Sequence, residues 1–277
     1  MKLDTLIHQI KKKKSFLCVG LDSDINKIPE HLKDNDNPVV EFNKAIIDAT
    51  AEYTIAYKPN IAFYESRGID GWKDLTETVN YIKQNYPDIF LIADAKRGDI
   101  GNTSKMYAEA FFKALNFDSI TVAPYMGADS VKPFLEYKDK FVILLVLTSN
   151  ASAKDFQYYK NPYNKPLFSE VIEKALTWGA EKNIMFVVGA TKASLLVNIR
   201  KLAPGNFILV PGVGAQGGSL EDVAHYGMTK ECGLIVNTSR SVLYADSSKN
   251  FAEAAKNEVE KLQQKMESLL KEYSVIQ

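Results

Sequence analysis

The stretch FLIADAKRGDIGN, residues 90–102, runs four apolar positions straight into Asp94, Lys96, Arg97 and Asp99. A run that is apolar throughout, instead of alternating, reads as a strand covered on both faces, as in a parallel sheet. Such a strand ordinarily ends in a neutral turn. Four charges at its tip therefore mark either a structural ion cluster or a place where chemistry is done.

Runs of the same kind recur on both sides of it: FLCVGLD (16–22), TIAYKP (54–59), IFLIADA (89–95), SITVAP (119–124), FVILLVL (141–147), IMFVVGA (184–190), FILVPGV (207–213) and GLIVNTS (233–239). Between them lie segments with apolar residues at helical spacing, such as VVEFNKAIIDATAEY (39–53), WKDLTETVNYIKQNY (72–86) and LFSEVIEKALTWGAE (167–181). Eight strands, each followed by a helix and with no Gly-, Pro- or Ser-rich linker to divide the series, predict an α/β fold of one (β/α)8 TIM barrel over residues 1–277. An open doubly wound sheet is the structural alternative.

The chain carries 34 basic and 34 acidic residues, so no net charge draws it to nucleic acid or to anionic lipid. Its longest apolar run, FVILLVL, is far short of the about 20 residues a membrane-spanning helix needs. Cys18 and Cys232 sit in apolar stretches without the spacing of a metal knuckle or redox pair, and MKLDTLIHQIKKKK has its lysines after its apolar residues, the reverse of a secretory signal. We expect a cytoplasmic protein whose partners are small molecules or another copy of itself, with no metal.

In parallel barrels the site is built at the C-terminal ends of the strands. The polar residues there are Asp22; Lys58 and Asn60; Asp94, Lys96 and Asp99; Thr148 and Ser149; Gln216; and Asn237 with Arg240. Residues two apart on a strand share a face, so Asp94 and Lys96 are predicted to project together, with Lys58 from the neighbouring strand completing a line of alternating charge. Both lysines follow apolar strands and are expected to be partly desolvated, a costly state unless they are paired or used. PGVGAQGG (211–218), which opens with Pro211 and Gly212, lets backbone N–H groups approach a ligand oxygen, and Arg240 offers a fork to a phosphate. The long segment 149–166, with Tyr158, Tyr159 and Tyr163, reads as a lid.

With these residues in view the chain resembles the orotidine 5′-phosphate decarboxylase family, in the branch marked by DAKRGDIGN. The resemblance rests on GLD at 20–22, KPNIAFYE at 58–65, DAKRGDIGNT at 94–103, PGVGAQGG and the Arg240 segment, all in family order. It implies a (β/α)8 homodimer with shared sites that removes CO2 from orotidine 5′-phosphate to give uridine 5′-phosphate, the last step of pyrimidine nucleotide synthesis, without metal or organic cofactor. It makes Lys96 the proton donor, Asp94 the carboxylate beside the leaving group and Lys58 a member of the charge line. Asp99 and Thr103 would reach into the partner's site. Asp22 and Lys58 would hold the ribose, with Asn60 beside them, Thr148 or Ser149 the base, and Gln216 and Arg240 the phosphate beside Pro211 and Gly212. Arg97 receives no role. The competing enzyme class is a Schiff-base aldolase of a sugar phosphate, which needs a desolvated lysine of lowered pKa; a lysine between two aspartates argues against it. A barrel that only binds a nucleotide phosphate is the non-enzymatic alternative.

Overall fold

A computed structural model describes residues 1–179, 183–214 and 217–277. All eight strands form: β1 (Leu17–Gly20), β2 (Ala56–Lys58), β3 (Phe90–Arg97), β4 (Ser119–Val122), β5 (Phe141–Leu147), β6 (Ile184–Val188), β7 (Ile208–Pro211) and β8 (Leu234–Thr238). They pair in parallel in chain order, and β1 closes on β8 through Cys18 opposite Asn237. The expectation of a (β/α)8 barrel is met, and the open sheet is excluded by that closure.

The strands are nearly all buried because the inner face packs on itself and the outer face is covered by helices. Ahead of the barrel lies α1 (Leu3–Lys13). The main covering helices are α2 (Pro38–Thr50), α4 (Gly68–Asn85), α5 (Gly101–Glu109), α6 (Ala128–Leu135), α7 (Leu167–Leu176), α8 (Leu196–Leu202), α9 (Leu220–Gly227) and α11 (Phe251–Glu272), with the short α3 (Ile61–Glu65) and α10 (Arg240–Leu243) lying at the site. Local chemistry sets several of their starts. Pro38 pre-sets the first turn of α2, and the Ser219 hydroxyl caps α9 by accepting from the Asp222 N–H at 3.0 Å. At the seam only a glycine lets the strand ends approach, since a Cβ on Gly20 would lie 1.9 Å from Ser239 Oγ.

Charged groups at the opposite end of the barrel serve the frame. Asp118, just before β4, accepts from Lys83 at 2.6 Å, from the amine of Met1 at 2.8 Å and from the Leu91 N–H at 2.9 Å. Arg200 donates to the carbonyls of Gly227, Asn206 and Gly233 at 2.6 to 2.7 Å, and burial pulls its pKa down to about 10. Among the described residues no helix is long and apolar enough to cross a membrane.

Candidate active site

Four charged side chains from three strand ends form a continuous line. Lys58, the last residue of β2 and 4% exposed, places Nζ 2.9 Å from Asp94 Oδ2 and 3.8 Å from Asp22 Oδ1. Lys96 Nζ lies 2.6 Å from Asp94 Oδ1, which also accepts from the Thr121 hydroxyl at 3.1 Å. Burial alone would push Lys58 down and Asp94 up. The pairing outweighs it in both. Asp94 and Asp22 hold Lys58 above the ordinary lysine range, and Lys58 and Lys96 hold Asp94 below the ordinary carboxylate range. Cys18 lies against this group with its thiol donating to Asn237 Oδ1 at 3.5 Å, and burial raises its pKa well above that of a reactive thiol.

Asp94 and Lys96 meet by a route other than the shared strand face. Ala93 sits opposite Ile120 and Arg97 opposite Val122, so β3 fits four steps against two of β4. Lys96 takes φ of +47° within this bulge, and its N–H donates to Thr121 Oγ1 at 2.8 Å. A bulge re-aims side chains in this way next to active sites. It also lifts Lys96 outward: the side chain is 49% exposed, so the expected desolvation holds for Lys58 and not for Lys96. Arg97, left without a role by the sequence, pins the bulge. It ion-pairs with Glu65 of α3, donates to Ala95 O at 2.9 Å, and lies 5.5 and 5.6 Å from the ring centres of Tyr107 and Phe111.

A cavity of about 360 Å³ opens beside this line and brings together Asp22, Lys58, Asn60, Asp94, Pro211, Gly212 and Arg240. Asn60 caps α3 by accepting from the Ala62 N–H at 3.3 Å. Gly212, at φ +95°, starts a turn that a side chain would strain. Arg240 is exposed and makes no ion pair among the described residues. Gln216 lies outside the described residues. Asp22 Oδ1 is buried and takes no hydrogen bond among the described residues.

Other predicted residues stand apart from this cavity. Thr148 and Ser149 follow β5 and do not line the cavity. Gln157 clamps Thr148, accepting its N–H and donating to its hydroxyl, both at 2.8 Å, while that hydroxyl donates to Asn150 at 2.6 Å. No ion pair joins Asp99 to Lys96 among the described residues; Asp99 Oδ1 accepts the Ile100 N–H at 2.7 Å, and Thr103 is exposed on α5. Tyr158 packs its ring against Phe168 of α7, whereas Tyr159 and Tyr163 are exposed.

Several residues of the site escaped the sequence reading, Thr121, Lys27 and Tyr244 among them. Thr121 carried a usable signal, a polar residue midway along an apolar run. Tyr244, which lines the cavity and whose hydroxyl donates to Asp22 O at 3.0 Å, carried none, because it follows a four-residue helix that no periodicity reveals. No group of three or more His, Cys, Asp or Glu placed to hold a metal occurs among the described residues.

Comparison with known proteins gives a consistent picture. The profile of the orotidine 5′-phosphate decarboxylase / HUMPS family matches residues 15–255. The orotidine 5′-phosphate decarboxylase of Christiangramia forsetii is 60% identical over 272 residues, covering 98% of this chain and 100% of that protein. Among solved structures, the OMP decarboxylase of Leishmania donovani superposes with a TM-score of 0.79 at 35% identity, covering 95% of this chain and 99% of that one. The UMP synthase of the same organism gives 0.81 at 37% identity; the match covers 95% of this chain but spans only 57% of the synthase.

Proposed function

Because the chain belongs to the orotidine 5′-phosphate decarboxylase / HUMPS family, we propose that it removes CO2 from orotidine 5′-phosphate and releases uridine 5′-phosphate. The observation that carries this reading is the unbroken line Asp22, Lys58, Asp94, Lys96 beside a cavity that ends at Arg240.

Breaking the bond between the pyrimidine ring and its carboxylate leaves the electron pair on a ring carbon with no good delocalising partner. A nearby ammonium must favour that charge and then quench it. Lys96 does both, giving its proton to the carbon and regaining one from solvent after the product leaves. In a water-poor site such a fixed charge stabilises a carbanion more than it could in bulk water. Asp94 keeps Lys96 aimed and faces the departing carboxylate, while Lys58 holds Asp94 ionised. Asp22 and Lys58 take the ribose hydroxyls with Asn60 beside them, Thr148 or Ser149 takes the base, and Arg240, Gln216 and the backbone from Pro211 and Gly212 take the phosphate. Energy from the phosphate grip holds the reacting end in place.

The exposure of Lys96 within one protomer favours a homodimer in which Asp99 and Thr103 of one barrel complete the site of its partner. The reaction as proposed uses the protein's own side chains, residues 1–277 act as one catalytic barrel, and the unpaired, buried Cys18 and Cys232 suit the reducing cytoplasm. The Schiff-base alternative is not favoured, since Lys58 is held in its charged form and Lys96 is ion-paired to Asp94.

The direct test follows the ultraviolet absorbance of orotidine 5′-phosphate. Loss of that signal with stoichiometric uridine 5′-phosphate is the expected result. An inert protein that is instead trapped by borohydride on Lys58 or Lys96 with a keto-sugar phosphate would overturn the assignment.

A further inference from the structure

We infer that Tyr244 is a positioning residue that carries the grip on the substrate's phosphate to the Asp22 carboxylate. The inference rests on the decarboxylase reading above and adds to it a physical link between the two ends of the site.

Tyr244 directly follows α10 and its N–H donates to Arg240 O at 3.1 Å, so the residue that faces the phosphate and this tyrosine share one short rigid turn. The Tyr244 hydroxyl accepts the Asp24 N–H at 2.8 Å and donates to the Asp22 carbonyl at 3.0 Å, bridging to a loop more than 200 positions earlier in the chain. The ring is fixed as well: it stacks on Phe42, with centroids 6.2 Å apart, and Lys27 Nζ lies 5.8 Å from its centre. A tyrosine held on its ring and at its tip transmits displacement instead of absorbing it.

Asp22 makes the link consequential. The Oδ1 that approaches Lys58 takes no hydrogen bond among the described residues, so its 3.8 Å spacing from Lys58 depends on where the loop backbone places Asp22. Two tyrosines hold that backbone, Tyr64 donating to Leu21 O at 3.1 Å and Tyr244 donating to Asp22 O. Tyr64 belongs to α3 and its hydroxyl also accepts from Asn43 in the core at 3.0 Å. Tyr244 alone of the two belongs to the Arg240 segment.

The test is a double-mutant cycle on the full-length enzyme with orotidine 5′-phosphate. Tyr244→Phe keeps the ring, its stacking and its burial while removing the hydroxyl, and kcat/KM should fall roughly 10-fold. In an Asp22→Asn or Arg240→Ala background the same change should cost less than about 2-fold, because the link has already lost one end. A full 10-fold loss in every background, which is what a merely structural role gives, would overturn the inference, as would an unimpaired Tyr244→Phe enzyme. Should Tyr244→Phe fail to fold, the cycle between Asp22→Asn and Arg240→Ala carries the question, and strictly additive losses there would refute the link. A wild-type protein that leaves orotidine 5′-phosphate untouched removes the functional reading itself and the inference with it, an outcome distinct from a working enzyme with additive mutants.

Discussion

Asp94 accepts hydrogen bonds from Lys58, Lys96 and Thr121, and the two from lysine are ion pairs that depend on its being ionised. Replacing it by asparagine leaves Lys58 buried with only Asp22 at 3.8 Å. Breaking a buried pair in this way costs about 3 kcal/mol, and Asp94→Asn should lower stability by that order and kcat at least ~100-fold. The pH dependence follows from the direction of the shift. Asp94 has a folded pKa below its unfolded value near ~3.9, so its contribution is complete above about pH 4 and is lost as pH falls towards the folded pKa. Lys58, shifted upward, contributes below its unfolded pKa near ~10.4 and loses that contribution only as pH rises through the folded value. Denaturant melts from pH 5 down to about pH 2 should show a steep acid limb in the wild type and a shallower one in Asp94→Asn. Lys96 also helps hold Asp94 ionised, but its side chain is half exposed, so its removal leaves no charge buried beyond Asp94, which Lys58 still pairs. Lys96→Ala should therefore abolish turnover while retaining the fold and uridine 5′-phosphate affinity, read by calorimetry; near-normal CO2 release would refute its role.

The bulged end of β3 is where strand and function meet. Arg97 holds it through Glu65, Tyr107 and Phe111, and Arg97→Ala should cost roughly 1–2 kcal/mol of stability. In steady-state kinetics it should reduce kcat more than it raises KM, because the substrate-binding cavity stays intact while Lys96 loses its fixed backbone. Equal changes in both constants would show that the bulge does not set the position of Lys96. This element also shows what a sequence can and cannot reveal. The eight strands were legible because each is apolar on both faces, a pattern only a covered parallel sheet demands. The charges at the tip were legible as a group. Their arrangement was not, because strand alternation assumes a regular ladder, and the irregularity at Ala93 to Arg97 arises from pairing with β4. The exposure of Lys96, the role of Arg97 and the bridge made by Tyr244 all depend on contacts between elements distant in the chain.

At the scale of the molecule, the segments that follow β3, β4 and β5 carry exposed apolar side chains, Ile100, Met106, Tyr125, Met126 and Phe156, with the Tyr125 and Phe156 rings 6.4 Å apart. Exposed apolar surface marks an interaction site where it is contiguous. If a second barrel covers it and supplies Asp99, two inactive variants should rescue each other. Mixing Lys96→Ala with Asp99→Ala and allowing subunits to exchange should restore about a quarter of wild-type activity, since half the dimers are then hybrids with one intact site in two. No recovery after verified exchange would show that each site is complete within its own subunit. Barrel closure has a further consequence in time. Asp22 leaves β1 and Arg240 follows β8, and the bond between Tyr244 and Asp22 spans 222 positions. A chain still being synthesised has no site until its eighth strand zips against its first, and such long-range closure is slow to form. Bound nucleotide then acts as a clasp across that last-formed seam, and resistance to unzipping should rise with ligand concentration.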